Sequence, residues 1–336
     1  MIKKHSFIIS IFLIFTVIPF YFLAYPSLLG EINIQAYSDA LTYERLAKEN
    51  YSQLTSISFS LLGPITILKF FSYNYTLIYI FNCIIFFVSI KLLFKYYDLK
   101  YKIFLFFILV NPMTLFALFS VNKEILLFLD IVLLLIFLKN KNILLFIFIT
   151  IFSYFIKWQM LLFVLVASGI FLCEKIYKNR ILYVVFFLLS LSILFPMISG
   201  MFQEVLDVSK LDTDKVSGSG IFPKLIELQT QFGGYIVAFP LKMMQFLFGL
   251  IGRSYLILDW NDFWNNFVQT IFSFSFFFLI IYLIFKKRIN FQNDVFYLSI
   301  IFSLIFALSP IFSIRYFYPL YIMLSVVVSQ KLKLKK

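Results

Sequence analysis

Long runs of apolar residues alternate with short polar stretches along the chain. A helix needs about 20 apolar residues to cross the ~30 Å hydrocarbon layer of a membrane. The pattern therefore predicts an all-α, polytopic membrane helix bundle with about ten transmembrane helices. The predicted spans are 6–29, 74–94, 103–120, 125–138, 143–156, 160–173, 181–200, 267–285, 295–311 and 316–330.

Two further apolar stretches, 56–71 and 236–252, are interrupted by helix-breaking or charged residues. The first contains Gly63 and Pro64, and the second contains Lys242. Such stretches are typical of helices that lie in the membrane interface or that enter and leave the membrane on one side. We therefore expect two outer interfacial or re-entrant helices in addition to the spans.

Composition and charge fit a membrane protein. Hydrophobic residues make up 62% of the 336 residues and charged residues only 13%, whereas about 25% of a soluble domain is charged. The net charge of +13 does not indicate a nucleic-acid partner, because most lysines and arginines fall in alternate loops. Cytoplasmic loops are enriched in these residues, which places both termini in the cytoplasm.

The stretches 30–55 and 201–235 are the predicted outer loops that look soluble, and neither is long enough for a separate domain. We expect residues 1–336 to form a single transmembrane domain. The single histidine, His5, and the absence of a Cys/His ligand pattern predict no metal site and no cofactor.

The outer loop "AYSDALTYERLAKENY" (36–51) predicts an amphipathic helix, with Ser38 or Asp39 as its N-cap and an ion pair between Glu44 and Lys48. One face of this helix carries small and aromatic residues, namely Ala36, Ala40, Tyr43 and Ala47. Asp39 is then either a structural cap or a carboxylate that faces an outer cavity and acts as a general base.

Three predicted spans, 125–138, 143–156 and 160–173, contain only about 14 apolar residues each, which covers ~21 Å. The polar residues at their outer ends would lie below the lipid surface, in a recessed cavity that opens outward. Local thinning of the membrane or tilting of the neighbouring helices is the alternative. Asp130 lies midway along the first of these spans, and we expect it to bond a neighbouring Ser, Tyr or Lys, or else to stay protonated.

A first span, an outer loop with an acid in "SDALTYERLA", and an interfacial helix before the second span together resemble the GT-C class of membrane glycosyltransferases. Asp39 and Tyr43 match the D-x-x-x-Y setting of a catalytic acid in that class. The resemblance implies a GT-C-like fold, polyprenyl-phosphate-linked sugar donors and chemistry on the outer face. Many families of the class pair two acids, and here Glu44 follows Asp39 by five residues.

Basic residues at the predicted outer turns fit a lipid-phosphate substrate, because arginine binds phosphate through a planar fork. Glu124 would hold Lys123 in place or serve as a second acid. Each of these residues has an ordinary alternative, as a helix cap or as a membrane anchor. The predicted phosphate-binding residues are Arg45, Lys123, Lys157, Arg253, Arg315 and Tyr316.

The leading hypothesis is a glycosyltransferase of surface polysaccharide biosynthesis, namely a capsule or O-antigen repeat-unit polymerase. A polyprenyl-phosphate-monosaccharide transferase and a lipid-linked oligosaccharide flippase are the alternatives. The expected partners are a polyprenyl-(di)phosphate-linked sugar donor, a glycan acceptor, membrane lipid and polysaccharide-assembly proteins. The expected location is a bacterial inner membrane, with the active site on the outer side.

Overall fold

The computed structural model describes residues 35–48, 62–119, 121, 123–173, 179–199, 221–309 and 314–331. The chain divides into two compact units. The first unit comprises residues 1–161, 254–275 and 329–336, and the second comprises residues 162–253 and 276–328. The expected single domain stays a prediction, and each unit is described on its own.

The described residues form fourteen α-helices and two short 3-10 helices, at Ser254–Leu258 and Ile314–Phe317. The α-helices are α1 (Gln35–Lys48), α2 (Leu62–Phe70), α3 (Tyr75–Tyr96), α4 (Tyr101–Val110), α5 (Pro112–Phe119), α6 (Glu124–Asn140), α7 (Ile143–Ile156), α8 (Trp158–Leu172), α9 (Arg180–Ser199), α10 (Ile221–Thr230), α11 (Tyr235–Phe248), α12 (Phe263–Phe285), α13 (Asp294–Phe306) and α14 (Tyr318–Ser329). The prediction of a helical fold is confirmed for this part of the chain.

Among the described residues, three helices are long and apolar enough to cross a membrane, which indicates a membrane protein: α3, residues 180–197 of α9, and α12. The pair α4 and α5 passes the same test as one broken segment. Other predicted spans are shorter apolar helices, among them α7, α8 and α13. The predicted span 6–29 lies outside the described residues, and the count of ten spans stays a prediction.

The predicted span 103–120 is broken into α4 and α5, which meet at an angle of 74°. Pro112 starts α5, and the residue before a proline is biased away from the helical conformation. Asn111 accordingly has extended backbone angles. Its side-chain oxygen accepts a hydrogen bond from the Met113 N–H at 2.9 Å, and the Thr114 hydroxyl donates to the Ile108 carbonyl at 2.6 Å. These bonds give hydrogen-bond partners to buried polar groups at the break between the two helices.

Asparagine side chains mark the starts of three apolar helices. The Oδ1 atoms of Asn74, Asn142 and Asn293 accept hydrogen bonds from backbone N–H groups in the first turns of α3, α7 and α13. An N-cap of this kind partners N–H groups that have no carbonyl within the helix. The short polar stretches of the sequence therefore define where these helices begin.

In the first unit, α6 packs against α3, α5 and α7. Residues on all sides of α6 are buried, as expected of a helix that is apolar all round. Asp130 is fully buried within it, and the Ser153 hydroxyl of α7 donates to its Oδ2 atom at 2.8 Å. The expectation that a neighbouring side chain bonds Asp130 is confirmed.

The second unit has a buried arginine at the start of α9. Arg180 is 3% exposed, and its guanidinium donates to Asp294 Oδ1 at 2.6 Å and to the Phe291 carbonyl at 2.9 Å. The same guanidinium lies 5.4 Å from the centre of the Tyr297 ring. These contacts tie the start of α9 to the start of α13, and they satisfy a charge that would be costly to bury alone.

Three stretches differ from their sequence-based predictions. Residues 221–230 of the predicted loop 201–235 form α10, and residues 201–220 lie outside the described part of the chain. The predicted span 295–311 ends as a helix at Phe306. The last predicted span begins as the 3-10 helix Ile314–Phe317 and continues as α14. Apolar runs therefore located the helices but not their ends.

Candidate functional site

Helix α1, which the sequence predicts to lie in an outer loop, packs on the first unit through its small and aromatic face. Tyr43 and Ala47 form a buried cluster with Ile65 and Leu68 of α2 and Ile78 of α3. The predicted helix and its buried face are confirmed for these residues. The predicted N-cap is wrong, because α1 begins at Gln35, so that Ser38 and Asp39 lie inside the helix rather than ahead of it.

Glu44 connects α1 to the start of α3. The Lys48 ammonium lies 2.7 Å from Glu44 Oε1, which confirms the predicted ion pair, and the Tyr75 hydroxyl donates to Oε2. The Tyr73 hydroxyl donates to the Ala47 carbonyl at 2.9 Å. The hydrogen bonds from Lys48 and then from Tyr75 favour the ionised form, and they lower the pKa of the Glu44 carboxyl.

Lys123 precedes the first residue of α6 and contacts α1. Its ammonium lies 5.8 Å from the centre of the Tyr43 ring, within the range of a cation–π interaction. Asp39 lies one helical turn before Tyr43 on α1, and its side chain is outside the described part of the structure. The helix that carries the candidate base is therefore in contact with the candidate phosphate-binding lysine.

Helix α2 lies beside the ends of α6 and α7 that are next to two further candidate residues, Glu124 and Lys157. A Cβ atom added at Gly63 would lie 3.3 Å from the Phe155 carbonyl oxygen and 3.8 Å from Leu126 Cδ1. Glu124 and Lys157 are each two residues from these contacts, and they are only 7% and 8% exposed. We call this end of the first unit, formed by α1, α2, Lys123, Glu124 and Lys157, the α2 end.

The opposite end of the first unit is rich in lysine. The Lys139 ammonium donates to the Tyr96 carbonyl, and the Tyr97 hydroxyl donates to the Leu135 carbonyl at 2.9 Å. Helices α3 and α6 therefore run parallel, from the α2 end to this lysine end. The segregation of predicted outer and predicted cytoplasmic residues to opposite ends is what the loop charges led us to expect.

Four predicted residues remain, one on α1 and three in the second unit. Arg45 is exposed on α1. Arg253, Arg315 and Tyr316 belong to the second unit, where the Arg315 guanidinium lies 5.6 Å from the centre of the Tyr316 ring. The convergence of these arginines with Asp39 and Lys123 stays a prediction.

Sequence reasoning noted Lys242 only as a charge within an apolar stretch, and it did not single out Tyr75. Lys242 of α11 is fully buried, and its ammonium donates to Gln229 Oε1 at 2.6 Å and to the Ser309 carbonyl at 3.0 Å. A lysine inside an apolar segment was a usable signal for it, because buried charges in membrane proteins are costly and often functional. Tyr75, the partner of Glu44, carried no such signal, because it lies 31 residues away in the chain.

Compared with family models, curated proteins and solved structures, the chain matches none.

The α2 end offers carboxylate, ammonium and phenol groups beside one another. Carboxylates accept protons and ammonium groups bind phosphate oxygens. Within the described residues, no group of three or more His, Cys, Asp or Glu side chains is arranged to hold a metal ion. The donor set of this end therefore fits proton transfer next to a phosphorylated substrate.

Proposed function

We propose that this protein is a membrane glycosyltransferase of surface polysaccharide biosynthesis, and specifically a repeat-unit polymerase. Its substrates are oligosaccharides on polyprenyl (di)phosphate, and its active site is the α2 end, on the outer face of a bacterial inner membrane. The contact between α1 and Lys123 carries the proposal, because it brings the acid-bearing outer helix next to a cation that suits a lipid phosphate.

In this proposal Asp39 is the general base. Its carboxylate takes the proton from the acceptor sugar hydroxyl while that hydroxyl attacks the anomeric carbon of the donor. The bond between this carbon and the phosphate oxygen breaks, and the lipid (di)phosphate leaves. Lys123 stabilises the negative charge that develops on the departing phosphate.

Glu44 suits this base role less well than Asp39. Its pKa is lowered by the hydrogen bonds from Lys48 and Tyr75, and a carboxylate with a low pKa is a weak base. Glu44 is better suited to hold α1 against α3. The contact with Tyr75 would keep Asp39 in register with Lys123.

The proposed orientation rests on the lysine end. Lys91, Lys95, Lys139 and Lys141 are exposed at the ends of α3 and α6 that lie away from the α2 end. Cytoplasmic loops of membrane proteins carry an excess of lysine and arginine. The lysine end is therefore assigned to the cytoplasm and the α2 end to the outer side.

The decisive experiment replaces Asp39 in the host and follows its polysaccharide. We expect Asp39→Asn to reduce polymer at least about a hundredfold, as the loss of a general base would, with the protein still present in the membrane. Asp259→Asn is the matched control, because Asp259 is an exposed acid that has no part in the proposed chemistry, and it should leave polymer unchanged.

The lipid-linked intermediates of the deletion strain separate the hypotheses. Single completed repeat units on the outer leaflet support a polymerase, and an incomplete unit would instead indicate a monosaccharide transferase. Completed units held on the inner leaflet would indicate a flippase. Normal polysaccharide in the Asp39→Asn strain would remove Asp39 from the mechanism.

A further inference from the structure

The lysine end contains a groove that the proposed chemistry does not use. It has a volume of about 390 Å³ and is lined by Leu99, Lys100, Tyr101, Lys102, Ile103 and Lys331. This volume falls within the range of small-molecule binding sites. Three of its six lining residues are lysines, so an anionic ligand is favoured.

The groove is built by backbone pairing between two distant stretches of the first unit. The Lys100 N–H donates to the Ser329 carbonyl at 2.6 Å, and the Lys331 N–H donates to the Asp98 carbonyl at 2.9 Å. Leu99 and Gln330 form an antiparallel bridge between these bonds. Backbone hydrogen bonds thus fix the chain at Lys100 and Lys331.

The six lining residues of the groove include three lysines and no acid. The Asp98 carboxylate lies 2.6 Å from the Lys331 ammonium. Lys100 and Lys102 are exposed. The Lys139 ammonium lies 4.7 Å from the centre of the ring of Tyr97, which is two residues before Leu99 in the chain. Clustered lysines at a membrane surface attract anionic lipid headgroups.

The exposed residues of α4 distinguish a lipid from a free anion. Lys102, Phe106 and Val110 are the exposed residues of this helix, and their i, i+4, i+8 spacing puts them in one row along it. Phe106 is 61% exposed and Val110 is 44% exposed. The row is therefore cationic at the groove and apolar beyond it.

The length of α4 fits one leaflet of a membrane. Its ten residues extend ~15 Å, which is about half of the ~30 Å hydrocarbon layer. The helix then ends at the 74° bend into α5. A lipid whose headgroup lies in the groove would have its acyl chains beside Phe106 and Val110.

We propose that the groove of Lys100, Lys102 and Lys331 binds the phosphate headgroup of an anionic phospholipid, with the acyl chains on the apolar row of α4. The ammonium groups donate hydrogen bonds to the phosphate oxygens. The site is independent of the proposed transferase chemistry, and its failure would leave that chemistry untouched.

The test measures lipid bound to the purified full-length protein in neutral detergent by native mass spectrometry. The probes are phosphatidylglycerol and phosphatidylcholine with identical acyl chains. Lys100→Gln/Lys102→Gln should weaken phosphatidylglycerol binding at least about tenfold. The matched control, Lys91→Gln/Lys95→Gln, removes the same charge from exposed residues outside the groove and should change binding less than twofold.

Two further measurements test the lipid assignment. Phe106→Ser keeps every lysine and should still weaken phosphatidylglycerol binding, because it removes the apolar contact with the chains. Glycerol 3-phosphate, which has the headgroup phosphate but no acyl chains, should compete poorly. Equal binding of the two lipids, equal losses in both lysine variants, or full competition by glycerol 3-phosphate would overturn the proposal.

Discussion

At the scale of single residues, the pKa of Glu44 decides between two roles for this acid. An acid that stays ionised can hold an ion pair and accept hydrogen bonds, whereas a base must take up a proton during the reaction. Glu44 accepts from Lys48 and from Tyr75, and both bonds lower its pKa. The structure therefore gives Glu44 the contacts of a structural residue.

This assignment predicts a pH-dependent contribution of Glu44 to stability. A carboxyl whose pKa is lower in the folded state stabilises the fold above its unfolded pKa, and it loses this effect as the pH falls through the folded value. We expect Glu44→Gln to cost about 1 kcal/mol at pH 7, and the difference from the native protein to shrink as the pH falls through the lowered folded pKa of Glu44. Thermal unfolding in detergent between pH 3 and 7 measures the cost of the substitution at pH 7 and its change with pH.

Glu227→Gln is the control for this measurement, because Glu227 is an exposed glutamate of α10. The stability of the Glu227→Gln variant should equal that of the native protein at every pH measured. A stability difference for Glu44→Gln that stays constant from pH 7 to pH 3 would show that ionisation of Glu44 contributes nothing to the fold.

At the scale of elements, the position of α2 depends on a glycine. A Cβ atom at Gly63 would approach the Phe155 carbonyl oxygen to 3.3 Å, which is a tight contact with backbone. Gly169 of α8 offers a matched comparison, because a Cβ atom added there meets nothing within 4 Å. The same substitution at the two positions therefore separates close packing from the general effect of replacing glycine in a helix.

We expect Gly63→Val to lower the free energy of unfolding by about 1–3 kcal/mol, since added atoms in a packed contact force the backbone to shift. Gly169→Val should change it by no more than about 0.5 kcal/mol. Thermal unfolding of both variants in one detergent provides the comparison. Equal effects at the two sites would mean that α2 does not depend on close approach to α7.

The sequence predicted those features of the elements that depend on local pattern. The buried face of α1, the Glu44–Lys48 pair and the positions of α3 and α7 follow from spacing along the chain. The contact of Tyr75 with Glu44 and the burial of Lys242 depend on which helices meet. Spacing carries no information about such contacts, so these parts of the site needed the structure.

At the scale of the whole molecule, function depends on which end of the first unit faces outward. Polar residues of both signs lie at the α2 end, and exposed lysines lie at the other. A lysine-rich end favours the cytoplasm. The proposed transferase chemistry needs the α2 end outside, since polyprenyl-linked repeat units are joined on the outer face of the membrane in this proposal. The same orientation of the first unit therefore satisfies both the distribution of lysines and the proposed chemistry.

The predicted ten-span topology places the start of α12 outside and its end in the cytoplasm, and labelling of the two ends tests this expectation. The 23 residues of α12 extend ~34 Å, enough to cross a membrane, and exposed residues Asn261 and Lys287 flank it.

Cysteine would be placed at one position or the other after Cys83 and Cys173, the free cysteines of the described chain, are changed to alanine. We expect a membrane-impermeant maleimide to label Asn261→Cys in intact cells, and Lys287→Cys only after lysis. Reversed labelling would place the start of α12 in the cytoplasm and contradict the predicted topology of this helix. Labelling of both positions in intact cells would mean that α12 does not cross the membrane.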